Sequence, residues 1–275
     1  MSAKVTSGVS IDKARAEGRS SLITYLPVGF PSVEGTVAAA KAAIAEGTDV
    51  VELGLPYTDP MMDGGTIQRA VEHALGHGTK VADVLRAVEA VATTGAAVLV
   101  MTYWNPIFRY GVDRWARDFS AAGGAGLITP DIIPEEAADW IAAADEHDLD
   151  RVFLVAPSST PERLRLTAAA SRGFVYAAST MGVTGERASV GALAEKLVAD
   201  TRAAGADRVC LGLGVSTAEQ AKEIAQYSDG VIVGSAYVRA MFESADASGV
   251  LNTADVARAA GAVSAELRGG IEAAR

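Results

Sequence analysis

The chain has 275 residues, 49% of them hydrophobic and 21% charged, which supplies enough apolar material for a full globular core. Its formal net charge of −10 argues against a nucleic-acid backbone or an anionic membrane as partner. A single cysteine, Cys210, excludes an internal disulfide; residues 1–19 lack an apolar signal core and no apolar run reaches bilayer length, so a soluble, cytoplasmic protein is expected.

A short helix is expected over about residues 9–18, closed by Gly18. Eight apolar runs of strand character follow, at 21–29, 49–55, 97–103, 126–131, 151–157, 173–179, 208–215 and 230–236. They are continuous rather than alternating, the pattern of strands buried on both faces of a parallel sheet. Helix-period segments lie between and after them, at 33–46, 66–76, 80–92, 112–122, 134–147, 161–170, 190–204, 217–226 and 252–272. In the second of these Ile67, Ala70, Val71, Ala74 and Leu75 form one stripe and Gly78 is a stop signal; the last opens with Asn252 and Thr253 as cap candidates. This alternation predicts an α/β chain, a single-domain (β/α)8 TIM barrel over residues 1–275, with an extra N-terminal helix and an inserted loop and helix after the second strand. A doubly wound open sheet would usually have fewer strands, and the first strand–helix turn lacks its glycine fingerprint.

The stretch Val50–Gln68 carries the chemistry. Glu52 sits inside an apolar strand, where a carboxylate is costly unless paired or shifted in pKa. One reading is a structural ion pair, but no Lys or Arg lies in the interior of any of the eight runs; the other is a perturbed catalytic acid or base. The following loop holds Asp59 and Asp63, on the strand-end face where barrel enzymes work, although Asp-Gly-Gly before a helix is also ordinary turn chemistry. Tyr103 and Tyr176 lie near the ends of the third and sixth runs, and Asp131 closes the fourth. Small-residue loops follow strands six to eight: GVTG (182–185), LGLG (211–214) and GS (234–235) before the helical AYVRAMF, an arrangement suited to phosphate. His73, His77 and His147 lie away from strand ends, no lysine ends a core strand, and no serine has triad partners. What remains is acid–base chemistry by carboxylates on a phosphorylated small molecule, without metal or covalent intermediate.

The sequence closely resembles the tryptophan synthase alpha chain family in ELGLPYTDPMMDGGTIQ (52–68), MTYWNPIFRYG (101–111), PDIIPEEA (130–137), VAPSSTPERL (155–164), GVTG (182–185), GLGVS (212–216) and GSAYV (234–238). The resemblance implies a lyase that splits indole-3-glycerol phosphate into indole and glyceraldehyde 3-phosphate by a retro-aldol reaction. It implies Glu52 as the acid/base, Asp63 as acceptor from the indole N–H, and Tyr176 and Tyr103 in the substrate pocket. Gly185, Gly214, Gly234 and Ser235 match the phosphate positions, and the segment around Thr184 matches a closing lid. The resemblance further implies a beta-chain partner in an αββα assembly, contacted by Asp59, Pro60 and the Asn105–Pro106 loop. Pyridoxal phosphate would belong to that partner, with no cofactor in this chain. Three positions depart from the family: Gly65 and Ile133 stand where proline is usual or frequent, and Thr180 where some members place arginine. Alternatives are a stand-alone lyase releasing free indole, a binding or activating subunit of low activity, and an isomerase or epimerase of another sugar phosphate.

Overall fold

A computed structural model describes residues 5–178, 187–212 and 214–274. In chain order its elements are α1 (Ser7–Ala16), β1 (Ser21–Pro27), α2 (Val33–Ala45), β2 (Val50–Gly54), α3 (Gly65–Gly76), α4 (Val81–Ala92), β3 (Ala97–Met101), α5 (Trp104–Tyr110), α6 (Val112–Ala121) and β4 (Gly126–Ile128). A short 3-10 turn at Pro134–Glu136 leads to α7 (Ala138–Glu146), β5 (Asp150–Val152), β6 (Leu154–Val155), α8 (Pro161–Ala170) and β7 (Val175–Ala178). The chain ends with α9 (Arg187–Ala203), β8 (Val209–Gly212), α10 (Ala218–Ala225), β9 (Gly230–Val233), α11 (Ser235–Glu243) and α12 (Thr253–Glu272).

The strands pair in parallel in the order β5-β4-β3-β2-β1-β9-β8-β7-β6. β5 and β6 are halves of one expected strand, interrupted at Phe153, whose carbonyl still accepts from Tyr176 N at 3.0 Å. The sheet therefore closes as an eight-stave barrel, as the run pattern predicts.

Alternate residues on each strand build two separate cores. Ile23, Val50, Leu99, Ile128, Val152 and Cys210 pack inside the barrel, with Ile11 of α1 joining them from below. Leu22, Val51, Leu53, Val100, Leu127 and Leu211 belong to the outer core shared with the helices. Both faces are buried, so the strands read as continuous apolar runs. The extra helix α1 is pinned by Ser7, whose backbone N–H and hydroxyl donate to buried Asp150 at 2.8 and 2.6 Å.

α5 is a helix where a loop was expected. Pro106 falls in its first turn, where no intrahelical N–H is needed, and the Asp131 carboxylate accepts from Trp104 N at 2.8 and 3.0 Å, capping it. Asp131, the acid that closes the fourth run, thus has a structural task. The single helix expected over 134–147 is divided into the 3-10 turn and α7.

A closed ring of buried hydroxyls ties α12 and α11 to the sheet. Thr24 Oγ1 donates to Tyr237 Oη (2.9 Å), Tyr237 meets Ser264 (2.8 Å), Ser264 meets Thr48 (3.1 Å), and Thr48 returns to Thr24 (2.7 Å). Tyr237→Phe leaves its two partners short of one contact each. It should lower stability by about 1–3 kcal/mol, seen as a lower urea midpoint at unchanged m-value.

Candidate active site

Glu52 occupies the centre of β2, paired in register with Tyr25 on β1 and Leu99 on β3. It is completely buried, and among the described residues neither carboxyl oxygen has a hydrogen-bond partner. No ion pair reaches it among the described residues. The structural ion-pair reading therefore fails. Removal from water pushes its pKa up to about 8, so the group is largely a neutral acid at pH 7. The titratable groups that feel its charge are Tyr25, Tyr176 and Cys210, none of them cationic.

Two tyrosine rings stand above this acid in space left by glycines. A Cβ on Gly54 would come within 2.3 Å of Tyr25 Oη, and one on Gly234 within 2.9 Å of the same ring. A Cβ on Gly212 would lie 2.4 Å from Tyr176 Oη. The small residues at these strand ends are thus required by the tyrosines as well as suited to an anion. Tyr25 escapes a sequence scan because a tyrosine inside an apolar run reads as core; its signal is the strand register opposite Glu52.

Asp63 is held at the other side of the mouth. Tyr103 Oη accepts from Met61 N (2.8 Å) and Met62 N (3.0 Å) and donates to Asp63 Oδ1 (3.3 Å), while Gln68 Nε2 donates to the Asp63 carbonyl (2.7 Å). Partial burial raises the Asp63 pKa, and the Tyr103 hydrogen bond works against that rise. Asp63 and Tyr103 line a narrow cleft with Tyr57, Thr102 and Tyr25.

The main cavity, about 770 Å³, is lined by Tyr25, Tyr176, Gly212, Gly214, Gly234, Ser235 and Arg239, with Thr66 and Ile67 from α3. Gly234 caps α11 without a side-chain bond, so the first N–H groups of that helix are free to meet an anion there. Gly214 adopts φ +63°, a left-handed conformation that suits glycine. Arg239, one turn into α11, is exposed and has no ion pair among the described residues; the sequence reading missed it, although it follows Ser235 by four positions. Thr184 and Gly185, and with them the expected lid, lie outside the described residues, as does Thr180.

On the rim Asp59 and Asn105 are exposed, and Pro60 and Pro106 are half-buried. Asn105 Nδ2 donates to Tyr57 Oη at 3.4 Å. Four large apolar residues stand exposed in the segments after β2, β3 and β4: Met61 (77%), Met62 (38%), Phe108 (65%) and Ile133 (41%). His73 is half-buried, its Nε2 at 3.0 Å from the Pro31 carbonyl. Among the described residues no group of three His, Cys, Asp or Glu could hold a metal ion, and no helix is long and apolar enough to cross a membrane.

A family model described as tryptophan synthase alpha chain matches residues 11–265. The chain belongs to the tryptophan synthase alpha chain family. It is 60% identical over 234 residues to the tryptophan synthase alpha chain of Mycobacterium marinum, covering 85% of this chain and 87% of that one. The alpha chain of Mycobacterium tuberculosis is 58% identical over 236 residues, covering 86% and 87%. Among solved structures, aminoacrylate-bound tryptophan synthase of M. tuberculosis superposes with a TM-score of 0.85 at 50% identity, covering 97% of this chain and 100% of that one. The alpha subunit from Legionella pneumophila reaches 0.85 at 31% identity, covering 96% and 97%. A tryptophan synthase alpha chain is a lyase that cleaves indole-3-glycerol phosphate, works with a beta chain, and leaves pyridoxal phosphate to that beta chain.

Two outcomes follow for stability. Glu52 is more basic folded than unfolded, so the native state holds its proton longer and stability falls as pH rises from about 4.5 towards about 8. Glu52→Gln removes that loss, and its advantage in urea unfolding over the parent chain should grow across that interval. Gly65 is the first residue of α3, with open space around its Cα, and Gly64 before it is extended (φ −69°, ψ 160°), as a residue preceding proline must be. Gly65→Pro should therefore raise stability by about 0.4–1 kcal/mol, measured by the same unfolding titration.

Proposed function

We propose that Glu52 and Asp63 carry out the retro-aldol step of the tryptophan synthase alpha reaction, with substrate phosphate at the α11 end of the main cavity. The observation that carries this reading is the buried, unpartnered Glu52 in register with Tyr25, the residue that lines both the main cavity at the α11 end and the adjoining cleft of Asp63. Phosphate held by Gly214, Gly234, Ser235 and the loop of Thr184 and Gly185 fixes one end of the substrate. Asp63, positioned by Tyr103, accepts from the indole N–H and fixes the other.

Neutral Glu52 gives its proton to indole C3, turning the ring into an indoleninium whose positive charge the Asp63 carboxylate stabilises. The bond from C3 to the glycerol carbon then breaks, its electron pair returning to the indole ring. The hydroxyl on that carbon loses its proton to the Glu52 carboxylate and becomes the aldehyde. One proton enters and one leaves, so Glu52 is regenerated in its acid form. Tyr176 and Tyr103 shape the walls around the ring.

The beta chain docks on the rim of Asp59, Pro60, Asn105 and Pro106, and exposed Met61, Phe108 and Ile133 supply the apolar centre of that contact. The chain works in the cytoplasm as one catalytic barrel over residues 1–275, without a cofactor of its own.

Indole release from indole-3-glycerol phosphate tests this assignment. Glu52→Gln and Asp63→Asn should each abolish release while circular dichroism stays native. Release by the parent chain should be slow alone and rise by orders of magnitude with an added tryptophan synthase beta chain. Fast release unchanged by that partner would indicate a free-standing lyase; undiminished release by Glu52→Gln would remove Glu52 from the chemistry.

A further inference from the structure

Tyr25 is placed where the two halves of the site meet. Among the described residues it alone lines both the main cavity at the α11 end and the narrow cleft that holds Asp63. A substrate spanning the two must cross it. Its ring begins against Gly234, and its hydroxyl reaches the position a Gly54 side chain would occupy. Gly54 lies two residues beyond Glu52 on the same strand, hence on the same face. The hydroxyl therefore lies on the same strand face as Glu52, further towards the cavity end of β2. Among the described residues neither Glu52 carboxyl oxygen has a hydrogen-bond partner.

We propose that Tyr25 is a positioning residue whose hydroxyl donates to the Glu52 carboxylate once the Glu52 proton has passed to the substrate. A neutral carboxyl tolerates a dry surrounding far better than an ion does, so the need for a donor arises only after transfer. The groups that face Glu52 are Tyr25 from β1, Tyr176 from β7 and Cys210 from β8, with no Lys or Arg among them. Tyr25 is the one paired in register with the acid. Its own pKa is raised by burial and by nearby acids, which keeps the hydroxyl a donor throughout the working range. The inference rests on Glu52 being the acid of the reaction.

Tyr25→Phe keeps the ring and removes the donor. With the donor gone the carboxylate is less stable and the Glu52 pKa must rise. Infrared titration of the buried carboxylic acid band, assigned by its absence in Glu52→Gln, should show that pKa about one unit higher in Tyr25→Phe. The kcat for indole release should fall about tenfold or more with KM changed less than about twofold. An unmoved carboxylic acid titration in folded Tyr25→Phe would overturn the proposal, whatever happens to kcat. So would a rise caused by Tyr176→Phe and not by Tyr25→Phe. If Glu52→Gln itself releases indole normally, the assignment of Glu52 fails instead, and the infrared result still decides whether Tyr25 bonds that acid.

Discussion

One unpaired carboxyl group inside an apolar barrel is the constraint around which this structure is arranged. Glu52 sits at a position that the alternation of β2 would otherwise give to a residue like Val50, within the inner core. A polar group buried without a partner costs roughly 1–3 kcal/mol, and the rest of the barrel offsets that cost. Two apolar cores, one inside the sheet and one between sheet and helices, are closed further by the ring of hydroxyls beneath α12. The gain from the expense is a carboxylic acid that still holds its proton near neutral pH. That is the property a general acid needs in order to protonate carbon without help from a metal.

The geometry above Glu52 couples glycines to tyrosines. Gly54 and Gly234 make room for Tyr25, and Gly212 makes room for Tyr176. Gly234 also opens the first turn of α11 towards the cavity. One small residue thus leaves the helix N-terminus open and makes room for the ring, and a side chain there would close both. Asp63 depends on its neighbours in a different way. Its loop has no strand to fix it, so the Tyr103 hydroxyl gathers two backbone N–H groups and the Asp63 carboxylate at a single point.

Much of this was legible in the residues. Continuous apolar runs separated by helix-period segments gave the barrel, because burial on both strand faces erases the usual alternation. Glu52 stood out as the acid inside such a run, and Gly214, Gly234 and Ser235 as small residues at adjacent strand ends. The structure brings these to one cavity, with Tyr176 on its wall. Other features were hidden for identifiable reasons. The break at Phe153 is a local interruption that hydrophobicity does not mark. The Asn105–Pro106 segment, expected as a loop, is the start of α5, because proline is harmless in a first turn and Asp131, 27 positions from Trp104, supplies the cap. Tyr25 needed the β1–β2 register, which a sequence does not display. Arg239 needed the direction in which α11 leaves β9. The apolar rim of Met61 and Phe108 looked like ordinary hydrophobic residues until their exposure was known.

The central claim is that the Glu52 proton is the one that reaches indole C3, and isotope exchange addresses that proton directly. The chain is incubated with indole and glyceraldehyde 3-phosphate in D2O, and the hydrogen at indole C3 is followed by proton NMR. The account predicts enzyme-dependent replacement of that hydrogen by deuterium in the parent chain and none above the uncatalysed rate in Glu52→Gln. Exchange at the parent rate in a folded Glu52→Gln chain would contradict it, because the proton would then come from another group.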